Sequence, residues 1–438
     1  MKPNIIFYFS DQQRWDTLNE ELMPNVWEMG EEGILFENSF TCQPVCGPAR
    51  ACLQTGQYAT KNHCYWNGIS LPESTKTMAD YFNENGYDTA YIGKWHLASD
   101  RYPHKGVHCE KTAVPRERQG GYKYWRAADI LEFTSHGYDG YVFDEDGNRL
   151  DFEGYRVDRI NDFALEYINN HDDDKPFFMF ISQLEPHHQN DRGCFEGPKE
   201  LVDNYRNYPL PEDLTFLKGN YEKEYPDYLA AINSLDTNVG KLINTLKEKG
   251  IYDNTVIVYT SDHGCHFKTR NGEYKRSCHD SSIRTPLVFG GGAVTKAEIK
   301  DCLTSLIDIP PTLFSLAGID VPESYSGNVL PVNRDDVTER DCVFVQISES
   351  QIGRAVRTKE WKYSARAIGS GMMGHSSSVY FDDFLYDLKN DPYEKNNLVN
   401  RKEYTNIINE MRELLSREMV KVGEKKPSFR KPLIVKKH

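Results

Sequence analysis

The sequence predicts an α/β protein, with a large, mostly parallel central sheet flanked by helices and a smaller C-terminal α+β subdomain. Three observations carry this. A short apolar run followed at once by polar residues and then by a helix occurs four times along the chain. These runs are almost unbroken, as strands covered on both faces require. Beyond Pro331 the texture changes to short alternating segments and one charged helix.

Residues 4–10 (Asn-Ile-Ile-Phe-Tyr-Phe-Ser) are the first strand. Asp11 and Gln12 follow its carboxyl end, where open α/β sheets place ligands; a plain surface loop is the other reading. Residues 77–85 form an amphipathic helix closed by Gly86, and residues 87–92 a strand running into Gly93-Lys94-Trp95-His96. Residues 101–154, rich in Tyr, Trp, Gly and charge, read as a long insertion of loops and short hairpins. A helix over 156–170 precedes a strand over 177–182, which leads to Glu185-Pro186-His187-His188. A polar loop covers 189–226, then come a helix over 228–249, a strand over 255–260 and Ser261-Asp262-His263-Gly264. A strand at 287–289 and a helix over 305–317 complete the main domain.

The boundary falls near Asp335, giving a catalytic domain of residues 1–335 and a C-terminal subdomain of residues 336–438. The subdomain should hold a short antiparallel sheet from 342–347, 353–358, 361–365 and 384–388, and a helix over 403–419.

A formal charge of −14 over 438 residues, with only a modest basic tail over 421–438, argues against a nucleic-acid partner. An anionic substrate then needs a local cationic pocket. No apolar stretch reaches bilayer length, so no membrane partner is expected, and the oligomeric state is open. The ten cysteines show no CxxC pair and suit a reducing compartment. The chain enters its first strand without the apolar segment of a signal peptide. The expectation is a cytoplasmic protein, or a periplasmic or secreted one if a leader has been removed.

The chemistry centres on Cys46-Gly47-Pro48-Ala49-Arg50, which runs on to Thr55-Gly56. It places a thiol where a loop feeds a helix N-terminus, a good seat for an anion. A cysteine so placed is a reactive nucleophile, an ordinary low-pKa thiol or a buried structural one. Asp11 with Gln12 and Asp262 with His263, at the ends of two strands, offer the oxygens and imidazole of a single divalent-cation site.

The Cys-x-Pro-x-Arg spacing resembles the signature of the type I, formylglycine-dependent sulfatases of the alkaline-phosphatase-like superfamily. The resemblance extends over nearly the whole chain. It implies that Cys46 is oxidised by a formylglycine-generating maturation enzyme to an aldehyde whose hydrate is the nucleophile, held by Arg50. It implies a metal bound by Asp11, Gln12, Asp262, His263 and the Cys46 position. Gly93-Lys94-Trp95-His96 is similar to the family's motif in which the lysine binds sulfate and the histidine serves the second step. Pro186-His187 resembles the Pro-His that faces the ester, and Lys275 the lysine near the bridging oxygen. His279 is a further candidate for touching substrate. Residues 308–313 and 385–388, with Asp391-Pro392 and Asn397-Leu398, are similar to the family's late signatures.

On that resemblance Asp262 takes the proton of the attacking hydroxyl, His187 with Lys275 protonates the leaving alcohol, and His96 drives release of sulfate. Gln12 and His263 stand where many members have aspartate and asparagine. That combination also occurs in the choline-sulfatase and phosphonate monoester hydrolase branch. The expected metal is Ca²⁺, with Mn²⁺ the alternative, and the expected substrate a small or oligosaccharide sulfate ester, most naturally a carbohydrate sulfate. A phosphonate or phosphodiester hydrolase is the second reading, and a non-catalytic glycan-binding protein on a sulfatase scaffold the third. The two long loops are expected to wall the pocket and to offer aromatic rings for stacking on a sugar.

Overall fold

The structure is a computed structural model, and it describes residues 2–101, 105–171 and 174–432. The expected insertion and basic tail therefore lie partly outside the described residues.

Ten strands form one sheet: β1 Asn4–Ser10, β2 Ile34–Phe40, β3 Asp88–Lys94, β4 Tyr124–Ala128, β5 Asp139–Phe143, β6 Arg149–Glu153, β7 Phe177–Ser182, β8 Thr255–Ser261, β9 Leu287–Gly290 and β10 Glu298–Ser305. Their order is β10-β2-β9-β8-β1-β7-β3-β4-β5-β6. β1 lies between β7 and β8, parallel to both, and β3 and β4 continue the parallel set. β9 and β5 run against their neighbours.

The unbroken apolar character of β1 has a direct structural reason. Ile5, Phe7 and Phe9 enter the core on one face and Ile6 and Tyr8 the core on the other. The first core holds Ala49 and Leu53 of the helix Cys46–Thr55 and Phe82 of the helix Met78–Glu84. The second holds Ile160 and Ala164 of the helix Arg156–Asn170 and much of the helix Tyr221–Glu248. Each such buried Phe, Ile or Leu contributes roughly 1.5–3 kcal/mol. Thr77 caps Met78–Glu84 through a reciprocal capping box with Asp80.

The insertion differs from expectation: β4 joins the parallel sheet beside β3 and carries the fully buried Trp125, and β5 and β6 extend it as a hairpin. Two glycines are dictated by close approach. A Cβ at Gly93, φ +102°, would lie 1.9 Å from the Ser182 carbonyl oxygen, and one at Gly56, φ +62°, would lie inside the Tyr325 ring. The first keeps β3 tight against β7 just before Lys94.

The second sheet comprises β11 Val343–Ile347, β12 Ile352–Arg357, β13 Trp361–Ala367, β14 Val379–Asp387 and β15 Ser428–Arg430, in that order. It is antiparallel except for the β14–β15 pair. The helix Thr405–Lys421 packs on it through Ile408, Met411 and Leu415. The sequence boundary at 335/336 falls between the last strand of the large sheet and β11. Phe344, Val356 and Tyr363 of this sheet share a core with Cys42, Cys52 and Tyr58, so the subdomain presses on the helix that begins at Cys46.

Candidate active site

Four parallel strands and one helix end at the same edge of the large sheet. β1 delivers Asp11 and Gln12, β8 delivers Asp262 and His263, β3 ends on Lys94 with His96 beyond it, and β7 leads to His187. The chain leaving β2 brings Cys46 to the first turn of the helix Cys46–Thr55. Pro48 fits that turn because its missing N–H would have no partner inside the helix. The Gly47 N–H donates instead to Asn67 Oδ1 at 2.9 Å.

Cys46 is 2 % exposed, and its Sγ lies 2.8 Å from Lys275 Nζ, 3.2 Å from His263 Nε2 and 3.5 Å from Asp11 Oδ1. Burial alone would raise the thiol, but Lys275, then Lys94 and His263, outweigh it and hold it well below its ordinary value. Arg50 ties the helix to three strands: its guanidinium donates to Asp11 Oδ2 at 3.0 Å, Ser182 Oγ at 2.6 Å and the Lys94 carbonyl at 3.0 Å. Lys94 Nζ donates to Asp11 Oδ2 at 2.8 Å and Glu132 Oε1 at 3.2 Å. Burial and the Cys46 sulfur push the Asp11 carboxyl up, and Lys94, His187 and Arg50 together hold it well below the usual range.

Asp262 Oδ1 accepts from the N–H groups of Gln12 at 2.9 Å and His263 at 2.8 Å. Its Oδ2 is buried with no hydrogen-bond partner among the described residues. Burial first, then Asp11, raise this carboxyl above its ordinary value. Gln12 has a left-handed φ of +70°, held by that N–H contact and by the Tyr228 hydroxyl donating to its carbonyl at 2.8 Å. Its Oε1 accepts from Lys275 Nζ at 3.3 Å.

This donor set fits a divalent cation. Asp11, Cys46, Asp262 and His263 are all buried, and one ligand atom from each lies within 4.8 Å of the others. His263 Nδ1 donates to the Gly264 carbonyl at 3.0 Å, which leaves the Nε2 lone pair facing the cluster. Asp262 Oδ2, which makes no hydrogen bond among the described residues and faces the Arg50 guanidinium at 3.7 Å, is the oxygen such an ion would satisfy.

His187 is 7 % exposed, with Nε2 3.1 Å from Lys275 Nζ and Nδ1 unpartnered. Burial, then the Lys275 charge, lower its pKa. His96 takes φ +61°, donates its N–H to the Asp129 carbonyl at 2.7 Å, and also has an unpartnered Nδ1. The Asp129 carboxylate accepts from the N–H groups of Leu97, Ala98 and Ser99, so the turn after β3 is built on it. The Lys275 carbonyl accepts from His266 Nε2 at 3.0 Å and Asn271 Nδ2 at 2.9 Å. Burial pushes His266 down to about 3, so it is a neutral structural donor.

Above these groups opens a cavity of about 480 Å³, with Gln12, Cys46, His96, His187 and Lys275 in its lining. The two long loops give it Glu132, Asn190 and Gly193. The larger wall is residues 268–276, because that segment leaves β8 directly over the site. The expected aromatic platform is elsewhere. Tyr122 and Trp125 are fully buried in the core, and the tyrosine ring of the cavity is Tyr274.

His279 requires a correction. It does not line the cavity; its ring bridges Ser277 Oγ and the Tyr386 hydroxyl, each at 3.1 Å, and packs edge-on against Phe384. Sequence reasoning missed Glu132 and Asp129, which follow β4 as Asp11 follows β1. It also missed Asn67 and Arg276, which line the cavity, and Glu349 of the C-terminal subdomain, which accepts from both the Asn67 N–H and the Arg276 guanidinium.

Residues 3–319 match the family model described as "Sulfatase", and residues 272–421 match that of "N-sulphoglucosamine sulphohydrolase, C-terminal". The chain is 28% identical to an "Ulvan-active sulfatase" of Formosa agariphila, over 97% of this chain and 82% of that protein. It is 25% identical to an "N-acetylglucosamine-6-O-sulfatase" of Bacteroides thetaiotaomicron, over 99% of this chain and 89% of that one. A protein solved in complex with its substrate D-glucosamine-2-N,6-O-disulfate superposes with a TM-score of 0.77 at 23% identity, covering 98% of this chain and 99% of that chain. This last likeness is one of fold.

Proposed function

We propose, from the premise that this chain belongs to the sulfatase family and is a sulfuric ester hydrolase, that its substrate is a sugar sulfate cleaved at Cys46. The observation that carries the reading is the floor of the cavity. There Cys46 Sγ stands 2.8 Å from the Lys275 ammonium, at the foot of a space lined, among the described residues, without a single aliphatic side chain. Such walls suit hydroxyls and charges rather than a lipid, and one tyrosine among cations is no cage for the quaternary ammonium of choline.

A divalent cation held by Asp11, Gln12, Asp262 and His263 would supply positive charge at the sulfate oxygens, and Cys46 matured to its aldehyde hydrate would supply the attacking hydroxyl. Ca²⁺ suits the oxygen donors and Mn²⁺ the imidazole. The chain's own residues do the rest. Lys275 binds the equatorial oxygens as charge spreads over them, and the buried Lys94, paired with Asp11 and Glu132, adds its charge from outside the cavity lining. Arg50 keeps Asp11 and the nucleophile's helix in register. Asp262, a buried carboxylate whose proton affinity is raised by burial and by Asp11, takes the proton of the attacking hydroxyl. His187 and Lys275, 3.1 Å apart, deliver a proton to the leaving alcohol oxygen. His96 lines the same cavity and takes a proton in the step that frees sulfate.

The test is a screen of position-defined sulfated monosaccharides and disaccharides beside choline sulfate and an aryl phosphonate. Turnover of one or a few sulfated sugars is expected, with modest activity on simple aryl sulfates. Hydrolysis of choline sulfate alone, or of phosphonate ahead of every sulfate, would overturn the sugar assignment.

A further inference from the structure

The lysine and arginine side chains lining the cavity are Lys268, Lys275 and Arg276. Lys275 faces Cys46, His187 and Gln12, and Arg276 is ion-paired with Glu273 and Glu349. Lys268 makes no ion pair among the described residues. Its Nζ lies 4.9 Å from the centroid of the Tyr274 ring, which also lines the cavity.

That wall is built rather than loose. Phe267 and Lys268 both take positive φ, 48° and 63°, a conformation that side-chained residues keep only where the surroundings impose it. Phe267 is fully buried against Phe195 and Tyr228. Tyr274 is 8 % exposed, its hydroxyl donates to Glu224 Oε1 at 3.0 Å, and its ring stacks on His188 at 4.5 Å. His188 lines the same cavity and is 6 % exposed, and its Nδ1 donates to Asn190 Oδ1 at 3.2 Å, which fixes the ring that Tyr274 stacks on. Of the carboxylates in the lining, Glu132 is paired with Lys94 and Glu273 with Arg276. The wall therefore presents a lysine that makes no ion pair among the described residues, with the Glu224 carboxylate behind the Tyr274 ring as the negative group that feels its charge.

We propose that Lys268, held over the Tyr274 ring, is a second anion subsite that receives a carboxylate or a further sulfate carried by the leaving sugar. This rests on the sugar-sulfate reading above and names the substrate class within it: a sugar bearing at least two negative groups. The cleaved sulfate sits over Cys46, and the retained anion lies against Lys268.

The experiment compares kcat/KM for three substrates: a monosulfated sugar, the same sugar with a second sulfate, and that monosulfated sugar linked to a uronate. The wild-type enzyme should favour one of the doubly anionic substrates by about tenfold, the worth of a charge-assisted hydrogen bond. Lys268→Gln should bring that ratio close to one, Lys268→Arg should keep it, and added salt should shrink it. The favoured arm identifies sulfate or carboxylate as the retained group. Absence of any preference in the wild type, or an equal loss on all three substrates in Lys268→Gln, would overturn the subsite while leaving the sugar reading in place. Turnover of aryl sulfate or phosphonate with none of the three sugars would overturn both.

Discussion

The Lys275 ammonium is 2.8 Å from the Cys46 sulfur, although the two residues are 229 positions apart in the chain. The contact joins the helix N-terminus to the segment leaving β8. It puts the lysine within reach of both the attacking and the leaving atom. Lys275→Ala and His187→Ala should each lower kcat by roughly a hundredfold or more, with a smaller change in KM, as loss of transition-state stabilisation requires. Steady-state kinetics on an aryl sulfate checks this, and a KM effect alone would contradict it.

Cys46 should be found as an aldehyde in protein isolated from its native source. Peptide mass spectrometry across residues 46–50 reads the conversion directly. An intact thiol throughout the sample would end the assignment of Cys46 as the nucleophile's precursor.

One divalent ion per chain should be recovered by elemental analysis. A chelator should lower both activity and Tm, since an ion that binds the folded chain stabilises it by mass action. Asp262→Asn keeps the shape and removes the charge, so it should release the ion while the fold persists. Full metal content in that variant would remove Asp262 from the ligand set.

Stability should fall in acid through Glu132. Burial would raise this carboxyl, but Lys94, then His187 and His96, outweigh it and hold it at about 2 against an ordinary 4.5. A depressed value means the stabilisation is present above the unfolded value and is lost as pH falls through the folded one. The amount is on the order of 3 kcal/mol, lost between about pH 4.5 and 2. Urea midpoints for wild type and Glu132→Gln should converge across that window. Parallel curves would show that Glu132 contributes nothing to it.

Glu349 should matter to catalysis from the other subdomain. It accepts from the Asn67 N–H at 2.7 Å and is paired with Arg276, and Asn67 in turn holds the Gly47 N–H. Glu349→Ala removes the buried one of the two carboxylates paired with Arg276, leaving Glu273, and it also removes the acceptor of the Asn67 N–H. It should lower Tm and slow turnover on every substrate alike. A change in substrate preference with Tm kept would contradict that structural role.

Much of the site was legible because central parallel strands have little freedom in composition. Residues buried on both faces must be apolar, so the first polar residues after such a run mark the carboxyl edge. Asp11, Lys94, His96, Asp262 and His263 were visible for that reason, and His187 a few residues further on. β4 escaped because Arg126 interrupts it, its guanidinium lying over the Tyr124 ring and pairing with Glu145. Asp129 and Glu132 were lost with it. β10 escaped because it is an edge strand whose first four residues, Glu-Ile-Lys-Asp, are exposed or half-exposed. His279 was misread because its partner Tyr386 is 107 positions away and nothing local announces it. Lys268 was not singled out because a single lysine in a loop carries no local signal of the ring it lies over.

Cys46 is 2 % exposed, and Gly47, Pro48, Ala49, Ala51 and Arg50 around it are buried as well. An enzyme that oxidises this cysteine by reading the residues beside it has no access once the helix has docked between the two sheets. On the proposed conversion of Cys46, the order of events during biosynthesis would follow: the side chain would have to be altered on an extended, still unfolded chain. A molecule that folded too early would then keep its thiol, and a cell that made the protein faster than it could modify it would accumulate correctly folded but idle copies.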